Sequence, residues 1–236
     1  MPPYIKRKPE TADSERYQTI FAESKGSVAA PTAALHFTKE VFDGLKTNSI
    51  AVEYITLHVG AGTFKPVKTN SIAEHQMHEE HFHVSLNTLI KLTHNKELVA
   101  VGTTSLRTLE SLYWIGIKIL QGFFKSGEEL YLGQWEAYEL ENKKISYKES
   151  INAIINFLKQ GNNEIAFCRT GLLIVPGYKF YSSKGLITNF HQPRSTLLLL
   201  VAAFIGDDWK AVYDYALQND FRFLSYGDSS LLWRKE

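Results

Sequence analysis

Apolar residues recur along the chain at two spacings, one typical of strands and the other of helices. The strands predicted from alternating or short continuous apolar runs are 17–22, 52–59, 98–101, 172–175, 186–188 and 220–226. The predicted helices are 86–93, 106–115, 148–158, 195–204, 209–218 and one that ends at Lys46 with Thr38 as its N-cap. Strands that run through small polar turns into helices are typical of βα units. The sequence therefore predicts an α/β fold, with a mixed sheet and flanking helices.

Proline and charge patterns divide the chain further. Residues 1–16 are proline-dense and basic without periodicity, which indicates a connecting segment. Residues 17–236 carry the predicted elements and are expected to form one α/β domain. Within that domain, 121–160 is rich in Lys, Glu and Tyr, and we interpret it as an insertion or peripheral subregion.

Composition narrows the class of protein only slightly. The 236 residues are 44% hydrophobic and 22% charged, and the formal net charge of +1 neither favours nor excludes a nucleic-acid partner. The single cysteine, Cys168, excludes an internal disulfide framework. The apolar run 197–205 is too short to cross a bilayer, which takes about 20 residues, and no apolar leader opens the chain. We expect a cytoplasmic protein with no membrane partner.

The predicted strand 52–59 runs into a glycine turn. His58, Gly60 and Gly62 lie there, and glycines let backbone N–H groups approach a ligand closely. A plain tight turn explains the same glycines equally well.

A second strand, 98–101, leads into hydroxyl-bearing residues. Thr103 and Thr104 follow it and open the next helix, where hydroxyl and backbone N–H groups can hold an anion. Arg107, one turn further on, can bind a carboxylate or phosphate through two parallel hydrogen bonds. The alternative is simple helix capping, with Arg107 on a solvated face.

Histidines cluster between His75 and His83. At three-residue spacing on a helix they would share one face, so a metal site is an alternative. No matching ligand set lies elsewhere, so we expect no metal and treat most of these histidines as surface residues. His78 and Glu80 are better candidates for general acid and base, because both titrate near neutral pH when partly buried.

A third strand, 186–188, leads into Asn189 and His191 before an apolar helix. Both side chains would project at the carboxyl end of a strand, where ligands bind in open α/β sheets. His191 can also be a purely structural histidine. Three strand ends with polar loops predict one composite site.

Many short motifs, in this order, resemble the family of S-adenosylmethionine:tRNA ribosyltransferase-isomerases of queuosine synthesis. The matching motifs are PPYI at 2–5, YQT at 17–19, GSVAAPTA at 26–33, LHF at 35–37, LHVGAGTF at 57–64, MHxE at 77–80, VGTTSxR at 101–107, PGY at 176–178, TNFHxPxSTL at 188–197 and RFxSYGD at 222–228. They extend from one end of the chain to the other. The family's amino-terminal portion, with its small β-barrel domain, has no counterpart among them.

The resemblance implies a reaction on the anticodon of tRNA. The ribosyl part of S-adenosylmethionine, a co-substrate, would be transferred to the aminomethyl group of a deazaguanine at the wobble position and rearranged to epoxyqueuosine. Adenine and methionine would leave, and no further cofactor is expected. An alternative is a truncated, noncatalytic homologue that binds RNA or a protein, and a separate chain can supply the missing amino-terminal portion.

Residue chemistry within the matching motifs suggests roles for particular side chains. We assign proton transfers to His78, Glu80 and His191, which are the titratable groups there. The residues expected to bind substrate are His58, Gly60, Gly62, Thr103, Thr104, Arg107, Asn189, Arg222 and Asp228.

Overall fold

Two mixed β-sheets organise the protein. The structure is a computed structural model, and it describes residues 19–20, 30–58, 71–94, 97–125, 127–140, 144–225 and 227–235. The strands are β1 (Thr56–His58), β2 (Glu80–Ser85), β3 (Val99–Val101), β4 (Leu130–Leu132), β5 (Ile165–Thr170), β6 (Gly185–Asn189) and β7 (Ser229–Trp233). The α-helices are α1 (Lys39–Thr47), α2 (Leu86–His94), α3 (Thr103–Leu120), α4 (Glu136–Glu139), α5 (Tyr147–Gln160), α6 (Thr196–Ile205) and α7 (Asp208–Gln218). Two 3₁₀-helices, Thr32–His36 and Ile72–Glu74, complete the set of described elements.

Each sheet combines parallel and antiparallel pairs. The four-stranded sheet has the order β1-β2-β5-β4, and its only parallel pair is β4 with β5. The three-stranded sheet has the order β3-β6-β7, with β3 parallel to β6 and β7 antiparallel to β6. The predicted α/β fold with flanking helices is confirmed, although the strands form two sheets where one was expected.

Helix α3 lies at the centre of the core. It begins after Gly102, whose φ of 96° favours glycine, and its residues from Leu106 to Lys118 are buried. A helix that is buried around its whole circumference must be covered on every side. Strands from both sheets and helices α5 and α6 provide that cover.

Helix α5 crosses α3 at very close range. A Cβ atom at Gly116 of α3 would overlap the hydroxyl and the carbonyl of Ser150 in α5. The Ser150 hydroxyl also donates a 2.5 Å hydrogen bond to the Tyr113 carbonyl. The segment 121–160 therefore contributes a core helix, although its standing as an insertion stays a prediction.

Two predicted strands are wrong. Residues 172–175 are extended and mostly buried, but their N–H groups bond to Thr170 Oγ1, the Gln134 carbonyl and Tyr138 Oη, outside any sheet ladder. Residues 220–225 form a turn, with Leu224 at a φ of 69° and its N–H bonded to the Phe190 carbonyl. The last strand is β7 instead.

Most helix predictions are confirmed within a few residues, because their signals are local. Ser146 and Glu149 form a capping box that starts α5, and Ser195 caps α6 by accepting from the Leu198 N–H. Helix α3 extends to Leu120, beyond the predicted end at Ile115. The predicted strand 17–22 lies almost entirely outside the described residues. Within the described part of the chain, none of the helices has the length and apolar character that a bilayer crossing requires.

The contact between α3 and α5 predicts opposite effects for two glycine substitutions. Gly116→Ala should lower the free energy of unfolding by about 1–3 kcal/mol, because the added methyl group meets the backbone of Ser150. Gly44→Ala, on exposed α1 with no neighbouring atom near the new methyl group, should raise it by about 0.5–1 kcal/mol. Urea unfolding of both variants measures the difference. Equal stability of the two variants would contradict the close crossing.

Candidate functional site

Strands β3 and β6 end side by side. They are parallel neighbours with Val101 opposite Ile187, and the Gly102 N–H donates to the Ile187 carbonyl at 2.8 Å. The chain then enters α3 after β3, and passes through 190–195 into α6 after β6. We call this the strand-end edge. Two of the three predicted strand ends therefore share one edge, the usual place for a ligand in an α/β sheet.

A buried ion pair connects this edge to the four-stranded sheet. Arg107, in the first turns of α3, places its Nη2 against Oε2 of Glu80, the first residue of β2. Both side chains are only 5% exposed. Arg107 Nη1 is buried and has no hydrogen-bond partner among the described residues. The guanidinium is thus held by one carboxylate and retains a donor for another group.

Arg107 also lines a pocket between the start of α3 and the start of α6. We call it the Arg107 pocket. Its lining residues are Met77, Thr103, Thr104, Arg107, Leu172, Leu173, Ile174, Thr196, Leu197 and Leu200. The predicted set Thr103, Thr104 and Arg107 therefore meets in one place, and the capping alternative with a solvated Arg107 is wrong.

Asn189, at the end of β6, anchors a second polar group. Its Oδ1 accepts a hydrogen bond from Thr32 Oγ1 at 3.0 Å, and its Nδ2 lies 3.5 Å from His36 Nε2 and 3.5 Å from the Asp228 carbonyl oxygen. We call Thr32, His36, Asn189 and Asp228 the Asn189 cluster. It lies at the same strand-end edge as the Arg107 pocket.

Arg222 and Asp228 close the loop that supplies this cluster. Arg222 donates to the Asp228 carboxylate from its backbone N–H at 2.7 Å and from Nη2 at 2.8 Å. These hydrogen bonds, with a smaller contribution from His36, lower the pKa of Asp228 to about 2. The Asp228 carboxylate is therefore ionised at neutral pH, and its hydrogen bonds with Arg222 hold the loop whose Asp228 carbonyl faces Asn189.

His191 is buried beside β6. Its ring Nε2 lies 2.8 Å from Thr188 Oγ1, and its backbone N–H donates to the Tyr213 hydroxyl at 3.0 Å. Burial lowers the pKa of His191 to about 4. At neutral pH this histidine is an uncharged hydrogen-bonding group.

The remaining predicted residues are dispersed. His78 is exposed in the extended segment just before β2, one residue after Met77 of the Arg107 pocket. His58 lies opposite His81 on the exposed face of the four-stranded sheet, with its ring 5.5 Å from that of His83. Glu80 is on the opposite, buried face. His58 therefore lies on the exposed face, and its part in a shared site stays a prediction, because the loop that follows it, with Gly60 and Gly62, lies outside the described residues.

The histidine cluster is not helical. His81 and His83 alternate with buried residues along β2, so the period is two and not the helical one. Across the described ranges, no group of three or more His, Cys, Asp or Glu side chains is arranged to hold a metal ion.

Sequence reasoning missed Thr32 and His36 as site residues. They belong to a short 3₁₀-helix whose contact with Asn189 spans more than 150 residues of chain. The available signal was a pair of polar residues in an otherwise small, apolar segment.

It also missed the buried carboxylate of Glu110, which accepts from Tyr178 Oη, Ser182 Oγ and the N–H groups of Tyr181 and Ser182. Burial raises the pKa of Glu110, and these donors offset part of that rise. Four donors around one carboxylate attach the segment 178–182 firmly to α3.

Comparison with known proteins gives a consistent family. The model of the family described as "Queuosine biosynthesis protein" matches residues 1–232. A relative from Legionella pneumophila (strain Lens), named S-adenosylmethionine:tRNA ribosyltransferase-isomerase, is 41% identical over 98% of this chain and 57% of that protein. A relative of the same name from Phenylobacterium zucineum is 42% identical over 99% of this chain and 55% of that protein.

A solved structure agrees. The crystal structure of S-adenosylmethionine tRNA ribosyltransferase from Thermotoga maritima matches with a TM-score of 0.53 and 30% identity, covering 84% of this chain and 50% of that one. The chain belongs to the queuosine biosynthesis protein family, as its motifs predict. It spans little more than half the length of the curated relatives that it matches.

The buried imidazole predicts a specific pH dependence of stability. The pKa of His191 is about 4 in the folded protein against 6.5 as its ordinary value. The unfolded chain therefore binds more protons between these values, and the free energy of unfolding falls as pH drops from 6.5 to 4. The contribution is about 3 kcal/mol. Chemical unfolding from pH 7 to pH 4 should show this loss reduced in His191→Asn.

His94→Asn, which replaces an exposed histidine at the end of α2, is the matched control and should follow the unmodified protein. An unchanged pH dependence in His191→Asn would contradict burial of a neutral imidazole.

Proposed function

We propose that this chain carries the catalytic α/β part of a tRNA ribosyltransferase-isomerase. It transfers the ribosyl group of S-adenosylmethionine to the aminomethyl group of a deazaguanine at the wobble position of tRNA and isomerises it to epoxyqueuosine. Adenine and methionine are the other products. The observation that carries this proposal is the pair of polar clusters at the strand-end edge, in a chain whose relatives bear that activity in their names. The place of this reaction is the cytoplasm.

The reaction makes three demands on a protein. The sulfonium acidifies the adjacent sugar methylene, so a base of modest strength can remove its proton. Adenine needs a proton as it departs. The attacking amine must be in its neutral form, which a site partly shielded from water favours.

His191 and His78 are our choice for the proton transfers. His191 enters as a neutral imidazole, because its pKa is about 4, and so it can accept a proton but not supply one at neutral pH. His78 is exposed, one residue after Met77 of the Arg107 pocket. The two histidines differ in burial, and we assign them to different proton transfers.

Glu80 suits a positioning role better than the role of a base. Its carboxylate is buried against Arg107, and a proton on it would weaken the ion pair that holds the guanidinium. Glu80 as a proton-transfer group stays a prediction, and the ion pair argues for the alternative. Arg107, Thr103 and Thr104 then bind substrate within the Arg107 pocket.

The Asn189 cluster offers complementary groups for a polar ligand. Asn189 has an amide that both donates and accepts, and the Thr32 hydroxyl and the His36 ring lie within hydrogen-bonding range of it. Asp228 and Arg222 support this cluster from their loop. We propose Asn189, Thr32 and His36 as contacts to the sugar or base of a substrate.

The function is tested by release of adenine. The chain is incubated with S-adenosylmethionine and tRNA carrying the aminomethyl-deazaguanine, and adenine is quantified by chromatography. Release that needs both substrates supports the proposal. A folded chain that binds the tRNA and releases no adenine would be the noncatalytic homologue.

A pair of histidine variants tests the assignment of proton transfer. His78→Gln should lower the rate of adenine release at least about 100-fold, the usual contribution of a general acid or base. His81→Gln changes an exposed histidine three residues away on the outer face of β2 and should keep the original rate. Equal rates for the two variants would remove His78 from the mechanism.

A further inference from the structure

The Arg107 pocket has two chemically different parts. Its polar end carries the Arg107 guanidinium and the hydroxyl-bearing Thr103, Thr104 and Thr196. The rest of its wall is apolar, formed by Met77, Leu172, Leu173, Ile174, Leu197 and Leu200. A ligand that fits both parts has an anionic head and an aliphatic tail.

The polar end is built for an anion. Arg107 Nη1 is buried without a hydrogen-bond partner among the described residues, while Nη2 is held by Glu80. Two helices of 18 and 10 residues begin at this end, and their N-termini add partial positive charge. Helix α3 has no side-chain cap, so its first N–H groups remain available to a ligand. Glu80 neutralises only the charge of Arg107, so the field of both helix ends remains.

The size of the pocket selects a small anionic head. The pocket as a whole has room for about 10 Å³, roughly one water-sized group, within about 290 Å³ of surrounding space that includes open solvent. One carboxylate oxygen fits that volume, and the tail can lie outside it along the apolar residues that line the pocket. A phosphate of a tRNA backbone carries ribose on both sides and fits a buried cation behind leucine side chains poorly.

We propose that the Arg107 pocket binds the methionyl part of S-adenosylmethionine, with the α-carboxylate at Arg107 Nη1 and the first turn of α3. The aliphatic chain lies against the apolar wall. This inference rests on the proposed function, because that function supplies the ligand. It assigns the ribose and adenine to the Asn189 cluster at the same strand-end edge.

Calorimetric titration of the whole chain with L-methionine, L-methioninamide and inorganic phosphate tests the proposal. L-methionine should bind at least about tenfold more tightly than L-methioninamide, because a hydrogen-bonded charged head is lost in the amide. Inorganic phosphate should not compete. Equal binding of the acid and the amide, absence of binding by both, or displacement of methionine by phosphate or by unmodified tRNA would each overturn the proposal.

Two variants locate the binding. Thr196→Val leaves the ion pair intact and should weaken L-methionine binding several-fold, whereas Thr47→Val at the exposed end of α1 should not. Arg107→Met combined with Glu80→Gln removes both charges together, so no single charge remains buried. This double variant should abolish the preference for the acid over the amide, and circular dichroism verifies its fold. Unchanged preference in it would place the carboxylate elsewhere.

The results of these binding experiments can be distinguished from the result of the adenine-release test. If the chain discriminates methionine from its amide but releases no adenine, the assignment of the pocket stands and the proposed function fails. If the chain releases adenine but binds the acid and the amide equally, the proposed function stands and the assignment of the pocket fails.

Discussion

Burial of the Arg107 and Glu80 side chains imposes a constraint on the surrounding structure. Removing two charges from water costs several kcal/mol for each ion, and the loss is recovered only if the partners meet in good geometry. Helix α3 must therefore place Arg107 opposite the start of β2. The close crossing at Gly116 and the four donors on Glu110 fix α3 from its other sides. The ion pair thus connects α3, which directly follows β3, to the four-stranded sheet.

In that arrangement the Arg107 pocket and the Asn189 cluster differ in size and polarity. The Arg107 pocket is small, mostly apolar and lined by the Arg107 guanidinium and the first residues of α3 and α6, which suits the head of a small zwitterion. The Asn189 cluster is more open and combines donors with acceptors, which suits a sugar or a base. His191 is buried beside β6 as a neutral imidazole, and His78 is exposed next to Met77 of the Arg107 pocket. A substrate that spans the edge would therefore meet one buried and one exposed histidine.

The parts that the sequence predicted well depend on local signals. Helices α2, α5, α6 and α7 follow from apolar periodicity, and Ser146 and Ser195 mark two of their starts. Strands β2 and β5 were missed, because histidine, phenylalanine and arginine on their exposed positions obscure the alternation. Residues 172–175 have an apolar pattern like that of a strand, but their N–H groups bond to side chains and loops. No local pattern distinguishes these two situations.

The candidate site residues also divide into those that local sequence predicts and those that depend on contacts distant in sequence. Thr103, Thr104, Arg107 and Asn189 were found because polar residues directly follow short apolar strands. The pairing of Arg107 with Glu80, and of Asn189 with Thr32 and His36, depends on contacts distant in sequence. The face on which His58 lies is set by the register of β1 against β2, and a shift of one residue would reverse it.

The central claim is that S-adenosylmethionine spans the strand-end edge between the Arg107 pocket and the Asn189 cluster. A crystal structure of the chain with S-adenosylmethionine bound measures this directly. We predict a carboxylate oxygen of the ligand within hydrogen-bonding distance of Arg107 Nη1, and its sugar or adenine in contact with Asn189. A ligand bound on the exposed face beside His58 and His83, or one that contacts neither Arg107 nor Asn189, would contradict the account.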